Sequence, residues 1–213
     1  MASASIDPFG DVSKSCAALA RRDGALKAAV KAIGKPHIRR RPGGFEGLFR
    51  IIVEQQVSVP SAQAIWARCA AAFDELTPAE AIAAGVDGLR AQGLSTPKAR
   101  YVLSLAESIA CGAIDLGVLA RASDGDAAET LQSVKGVGPW TAAIYLLFCE
   151  GRVDIWPPGD VALQHAYGMA AGFGGKIAGR DLDEKALDWS PYRGVAAHVL
   201  WTYYAHLRGR KPI

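Results

Sequence analysis

Few residues in this 213-residue chain combine a reactive side chain with a local spacing that gives it something to do. The densest group runs from Leu131 to Glu150, LQSVKGVGPWTAAIYLLFCE, and on through DIWPPGD to Asp160. Val134 and Val137 flank Lys135-Gly136, Gly138 follows, and Pro139 takes the first position of a helix, where its missing N–H costs nothing. Gly136 and Gly138 are expected to allow φ > 0 and a close approach to the backbone. Ala142, Ala143, Leu146 and Leu147 then recur at helical spacing. The turn therefore presents unpaired N–H groups at a helix N-terminus, which suits an anion. In a chain of net charge +3 a DNA phosphate is the obvious anion, with Lys135 in the turn to contact it. A plain helix corner with no ligand would use the same glycines. Asp160 opens the helical stretch VALQHAYGMA and reads as its N-cap, where the helix dipole and free N–H groups keep a carboxylate ionised.

The whole string decides between these readings. VKGVGPWTA followed by PPGD resembles the helix-hairpin-helix and Gly/Pro-Asp signature of the HhH-GPD superfamily of DNA glycosylases. Residues Phe45 to Phe73 contain IVEQQVSVP, similar to the IxxQQxS corner of its AlkA-like, 3-methyladenine DNA glycosylase II branch. Residues Gly93 to Cys111 and the C-terminal WSPYRGVAAHVLWTYY match that branch as well. The resemblance spans roughly residues 43–208 and is most specific at 53–65, 131–142 and 154–160.

It implies a monofunctional repair glycosylase that flips out alkylated purines of the 3-methyladenine type and hydrolyses their N-glycosidic bond. Asp160 becomes the catalytic carboxylate, because positive charge develops on the sugar as the base departs. It acts electrostatically or also orients water, two options the residues leave open. Relatives that cut the strand through a Schiff base carry a lysine where this chain has Trp140, so no lyase activity is expected. Trp140 and Trp201 match positions lining the alkylbase pocket, where an aromatic face stacks on a cationic purine; for Trp156, cleft lining and core packing are both open. Gln56 matches the residue that fills the gap left by the extruded nucleotide. Gln56, Lys135, Gly136, Val137, Gly138 and Thr141 are the implied DNA contacts. The backbone carbonyls of Gln132, Val134 and Val137 match a site for Na+ or K+ bridging to phosphate; no cofactor is otherwise required. The implied partner is double-stranded DNA with damaged bases, bound by a monomer.

The elements that must position these residues read as helices throughout. Alanine and leucine dominate, and nothing reads as a strand. Helices are expected at about 11–33, 45–56, 60–74, 78–84, 97–111, 124–134, 139–150, 160–170 and 191–208. Capping hydroxyls precede prolines at Ser58, Thr77, Ser95 and Ser190. Two breaks, Gly34–Gly44 and Asp154–Asp160, suggest two lobes: 1–44 with 157–213, and 45–156. The expected class is all-α, with the superfamily's cleft between lobes, and with neither an N-terminal β-lobe nor an iron–sulfur cluster. Arg39-Arg40-Arg41 read first as a solvated run and second as a phosphate contact. Lys98 and Arg100 read as surface positions on a packing helix.

Composition narrows the classes. Half the residues are hydrophobic and the pI is about 8.7, enough for a real core and compatible with nucleic acid. No apolar run reaches membrane-spanning length, and MASASIDPFGD lacks a secretory pattern, so a cytoplasmic, nucleoid-associated bacterial protein is expected. Cys16, Cys69, Cys111 and Cys149 are scattered in apolar helical context and read as buried reduced thiols. His37, His165, His198 and His206 show no transition-metal spacing. Two alternatives remain at this level: a non-catalytic helix-hairpin-helix module that only holds DNA, and a glycosylase for another damaged base.

Overall fold

The computed structural model describes residues 8–211, and among these the regular structure is helical throughout, with no strand. Residues 1–7, most of the segment read for a secretory pattern, lie outside the described residues. None of the described helices is long and apolar enough to cross a membrane. Two compact units form, one from the chain's two ends up to Arg40 and from Gly151 onward, the other from Arg41–Glu150.

The terminal unit begins with α1 (Val12–Arg22) and α2 (Gly24–Ile33). One continuous helix was expected over 11–33, and Asp23 interrupts it with extended torsions. Its Oδ1 accepts from the N–H groups of Ala25 and Leu26, capping α2, while Oδ2 accepts from Tyr167 Oη at 3.1 Å and Trp189 Nε1 at 3.2 Å. The buried carboxylate thus gathers four donors where the helix breaks.

In the central unit α3 (Gly44–Glu54) packs against α4 (Val59–Ala72) and α6 (Thr96–Ala110), with α5 (Pro78–Ala91) between these last two in sequence. Thr77 and Glu80 close a full capping box on α5. Gly85, at φ +60, kinks that helix where the expected one ended, and the chain continues helically to Ala91. A short α7 (Leu116–Leu119) leads to α8 (Asp124–Gln132) and α9 (Pro139–Tyr145), which widens into a π-turn at Leu146–Glu150. Leu48, Ile51, Ile52, Leu105, Leu131 and Leu146 are fully buried in this unit.

Arg41 corrects the reading of the basic run. Its side chain is only 7% exposed and grips Glu54 with two parallel bonds of 2.7 and 2.8 Å, its guanidinium lying over Phe148. It is a structural ion pair, whereas Arg40 is exposed. Lys98 is also not a surface position: Nζ donates to the carbonyl of Val53 at 2.7 Å, an orphan acceptor in the last turn of α3, and burial lowers its pKa.

The chain then returns to the terminal unit through α10 (Val161–Ala170), α11 (Gly179–Ala186) with a 3₁₀ turn to Trp189, and α12 (Arg193–Leu207). α12 packs on α1, α2 and α10, burying Val195, Val199 and Leu200. It starts later than expected because Ser190 does not cap it: the hydroxyl donates to Asp154 Oδ2 at 2.7 Å. Of the cysteines, Cys16 and Cys69 are buried and pushed up to about 11 by desolvation, but Cys111 is exposed at the end of α6.

His198 sits fully buried on α12, its Nδ1 accepting from the Arg39 N–H. Desolvation, with the positive charges of His37, Arg39 and Arg40, lowers its pKa to about 3. Above about pH 6.5 the ring is neutral folded and unfolded; below it only the unfolded chain takes the proton. Acidification from pH 6.5 to 5 is therefore expected to cost stability at up to about 1.4 kcal/mol per pH unit. Urea unfolding of His198→Asn over that interval should show a correspondingly shallower loss than the native sequence.

Candidate active site and nucleic-acid interface

The turn between α8 and α9 is closed by the Val137 N–H donating to the Val134 carbonyl at 3.0 Å, with both valine side chains buried. Gly136 has φ +91, and a Cβ built on it would stand 2.1 Å from the ring of Tyr101, which α6 lays across the turn. Torsion and packing both demand glycine there. Gly138 differs from expectation. Its torsions, φ −88 and ψ 177, are open to any residue, and an added Cβ would meet nothing within 4 Å. The glycine keeps the outer approach to the start of α9 clear rather than relieving internal strain.

Gln55 braces this turn from α3. Its Nε2 donates to the Gly136 carbonyl at 3.1 Å and to Thr141 Oγ1 at 2.9 Å. Thr141, expected as a DNA contact, is therefore buried with its hydroxyl turned inward. Gln56, one residue on, is exposed and adopts φ +51, a left-handed conformation uncommon outside glycine. Lys135 and Gly138 are exposed, and Trp140, the second residue of α9, is half-buried. The carbonyls of Gln132, Val134 and Val137 are hard oxygen donors suited to a monovalent ion, though that of Val134 already accepts the turn bond. No group of histidine, cysteine and carboxylate ligands able to hold a metal occurs among the described residues.

In the terminal unit Asp160 is the N-cap of α10. Oδ1 accepts from the N–H groups of Ala162 at 2.9 Å and Leu163 at 3.0 Å, so the carboxylate is fixed half-buried against the positive helix end. The segment before it is tied at three points. The Val153 carbonyl accepts from the Gly194 N–H at 2.9 Å. Asp154 accepts from the backbone and guanidinium of Arg193 at 3.0 Å. Burial pushes this carboxyl up, but the bonds from Arg193 and Ser190 outweigh it and leave the pKa lowered. Further on, Asp183 Oδ1 accepts from Trp156 Nε1 at 2.8 Å and from the Gly159 N–H at 3.4 Å. The Trp156 ring meets the fully buried Trp189 edge-on at 5.3 Å, and Trp201, half-buried on α12, meets His198 edge-on at 5.6 Å.

The expected site residues thus fall into two sets: Asp160, Trp156 and Trp201 in the terminal unit, and Gln56, Lys135 to Gly138, Trp140 and Thr141 in the central one. Gln55, Tyr101, Asp154 and Asp183 escaped the sequence reading. Gln55, Tyr101 and Asp154 left a trace only as members of the QQ corner, the Gly93–Cys111 match and the Asp154–Asp160 break, and Asp183 left none.

The profile of the HhH-GPD superfamily of base excision DNA repair proteins matches residues 49–191. The alkylbase DNA glycosidase-like protein mag2 of Schizosaccharomyces pombe is 27% identical over 188 residues, covering 84% of this chain and 87% of that protein. The putative DNA-3-methyladenine glycosylase YfjP of Bacillus subtilis is 29% identical, over 72% of this chain and 56% of its own length. Among solved structures, the S. pombe 3-methyladenine DNA glycosylase Mag1 in complex with abasic DNA aligns with a TM-score of 0.82 at 26% identity, over 89% of this chain and 95% of that one. A DNA-3-methyladenine glycosidase from Bacillus halodurans aligns at 0.79 with 27% identity, over 97% and 94%.

The two glycines of the turn should separate cleanly by mutation. Gly136→Ala forces a Cβ into the Tyr101 ring and an alanine to φ +91, and is expected to cost at least about 2 kcal/mol in chemical denaturation. Gly138→Ala exchanges one N-cap residue for another in open space and should cost no more than about 1 kcal/mol.

Proposed function

We infer that this chain, which belongs to the HhH-GPD superfamily of base excision DNA repair proteins, is a monofunctional DNA glycosylase that excises alkylated purines of the 3-methyladenine type. The observation that carries the reading is the Asp160 carboxylate, set at the N-terminus of α10 at the end of the Gly/Pro-Asp segment. The glycosylase names of the relatives supply the substrate class.

Reaction begins with a base that alkylation has made cationic, hence already a good leaving group. As the N-glycosidic bond lengthens, positive charge spreads onto the sugar, and the fixed anion of Asp160 stabilises it electrostatically. Water adds to the sugar carbon, its proton passes to solvent or to the carboxylate, and the purine leaves neutral with the bond's electron pair. One cap bond to each of two backbone N–H groups preorganises the carboxylate, so little reorientation accompanies charge development.

Trp140, Trp201 and Trp156 are assigned to stacking on the extruded base, where an indole face attracts a cation. An indole at position 140 leaves no amine there to form a Schiff base, in keeping with hydrolysis alone. Gln56, exposed and held in a left-handed conformation, is assigned to the gap in the duplex. The turn from Lys135 to Gly138 is assigned to backbone phosphate through the N–H groups at the start of α9 and the lysine charge. A Na+ or K+ ion on the Gln132, Val134 and Val137 carbonyls would add positive charge at that contact. No other cofactor takes part, and the duplex is bound by one copy of the chain in the bacterial cytoplasm, on the nucleoid.

Asp160→Asn keeps an oxygen to cap α10 and removes the charge. Release of 3-methyladenine and 7-methylguanine from methylated genomic DNA should fall at least about 100-fold, the size of effect expected when a preorganised charge-stabilising group is lost. Affinity for an abasic-analogue duplex should be retained. Unchanged base release by this variant, or none from the native protein at high enzyme excess, would overturn the assignment; the second result would favour a module that only binds DNA.

A further inference from the structure

The segment Ile155–Asp160 contains two consecutive prolines, which donate no backbone bond, and a glycine at φ +71. Without an external tie, the direction in which Gly159 delivers the chain to Asp160 would be poorly fixed. One atom supplies that tie. Asp183 Oδ1, half-buried on α11, accepts from the indole N–H of Trp156 at the near end of the diproline and from the Gly159 N–H at its far end. The shared acceptor holds the two ends of Trp156-Pro157-Pro158-Gly159 at a set separation, immediately before the capping carboxylate.

The other contacts within this unit make the tie stiff. Trp156 cannot swing away because its ring abuts Trp189, which is fully buried and donates to Asp23. Leu182 and Ala186, flanking Asp183 on α11, are buried and fix that helix in place. Neighbouring charges are committed elsewhere: Arg180 pairs with Glu184, and Lys185 with Asp23 and Asp188. Charge pairing therefore gives no competing account of why an acidic residue stands at 183.

We propose that Asp183 is a positioning residue for glycosidic-bond cleavage, setting the orientation of Asp160 through Trp156 and Gly159. The inference rests on the activity assigned to Asp160 above. It separates geometry from charge: what matters at 183 is an acceptor oxygen in place, so asparagine should serve and alanine should not.

The experiment is single-turnover excision from a duplex with one methylated purine, enzyme in excess, at a temperature where calorimetry shows every variant folded. Asp183→Ala is expected to slow base release by about 10- to 100-fold, the size of effect of a sub-ångström to ångström misplacement of a catalytic group. Its Kd for an abasic-analogue duplex should stay within twofold of native. Asp183→Asn should keep a rate within about threefold of native, since the amide oxygen can accept both bonds. Asp183→Ser, whose hydroxyl oxygen stops one bond short of both donors, gives a second reading should the alanine variant not fold; it should slow excision without changing the Kd. Native-like rates in Asp183→Ala or in Asp183→Ser, or equal losses in the alanine and asparagine variants, would overturn the inference while leaving Asp160 in its role. A native protein that releases no base would overturn both.

Discussion

An all-helical chain leaves several N–H groups bare at the start of each helix and several carbonyls bare at its end, and wherever those ends are buried something must meet them. That constraint organises this molecule. Asp23 meets the start of α2, Asp154 the Arg193 N–H at the start of α12, and Lys98 the Val53 carbonyl in the last turn of α3. Asp160 answers the same demand at α10. A capping carboxylate and a charge-stabilising carboxylate are built alike: both need an anion locked beside backbone N–H groups. The fold therefore holds an ionised group in one orientation with bonds it needed in any case.

The two units solve the bracing problem by similar means. In the central unit the amide of Gln55 spans the carbonyl of Gly136 and the hydroxyl of Thr141, tying the turn to the helix that follows it. In the terminal unit the carboxylate of Asp183 spans Trp156 and Gly159. Each brace is one side chain with two partners, Gln55 from the residue that ends α3 and Asp183 from α11. Glycine and proline expose N–H groups and faces that a helix would occupy, and a brace from elsewhere in the same unit restores the rigidity they give up.

What could be read from residue order follows from this. Local devices were largely legible: the Thr77, Ser58 and Asp160 caps and the apolar spacing of the helices all act within four residues, although Ser95, expected to cap in the same way, makes no side-chain cap bond. The glycines of the turn were half legible, since their presence marks a close approach but not its side. Gly136 faces the Tyr101 ring inside the protein, and Gly138 faces outward. Contacts across a dozen residues or more were not legible. Arg41 in a basic run gives no hint that Glu54 will neutralise it, and Lys98 on a helix gives none that its ammonium will meet the Val53 carbonyl. Asp23 went unread for the opposite reason: helical periodicity continues through it, and only the donors of Tyr167 and Trp189, brought from more than a hundred residues away, make the break favourable.

The same contrast explains why Asp183 carries no mark in the sequence although its neighbours in space do. In the local pattern of α11 it is one of five acidic or basic residues from Arg180 to Lys185, as on any solvated helix face. What distinguishes it is that its oxygen lies against a tryptophan and a glycine that belong to another segment. A motif records the residues that touch the ligand because their spacing along the chain is fixed by the turn that displays them. The residues that hold that turn in place can come from any element that reaches it. Asp160 is therefore conspicuous and Asp183 is not, although the orientation of the first depends on the second.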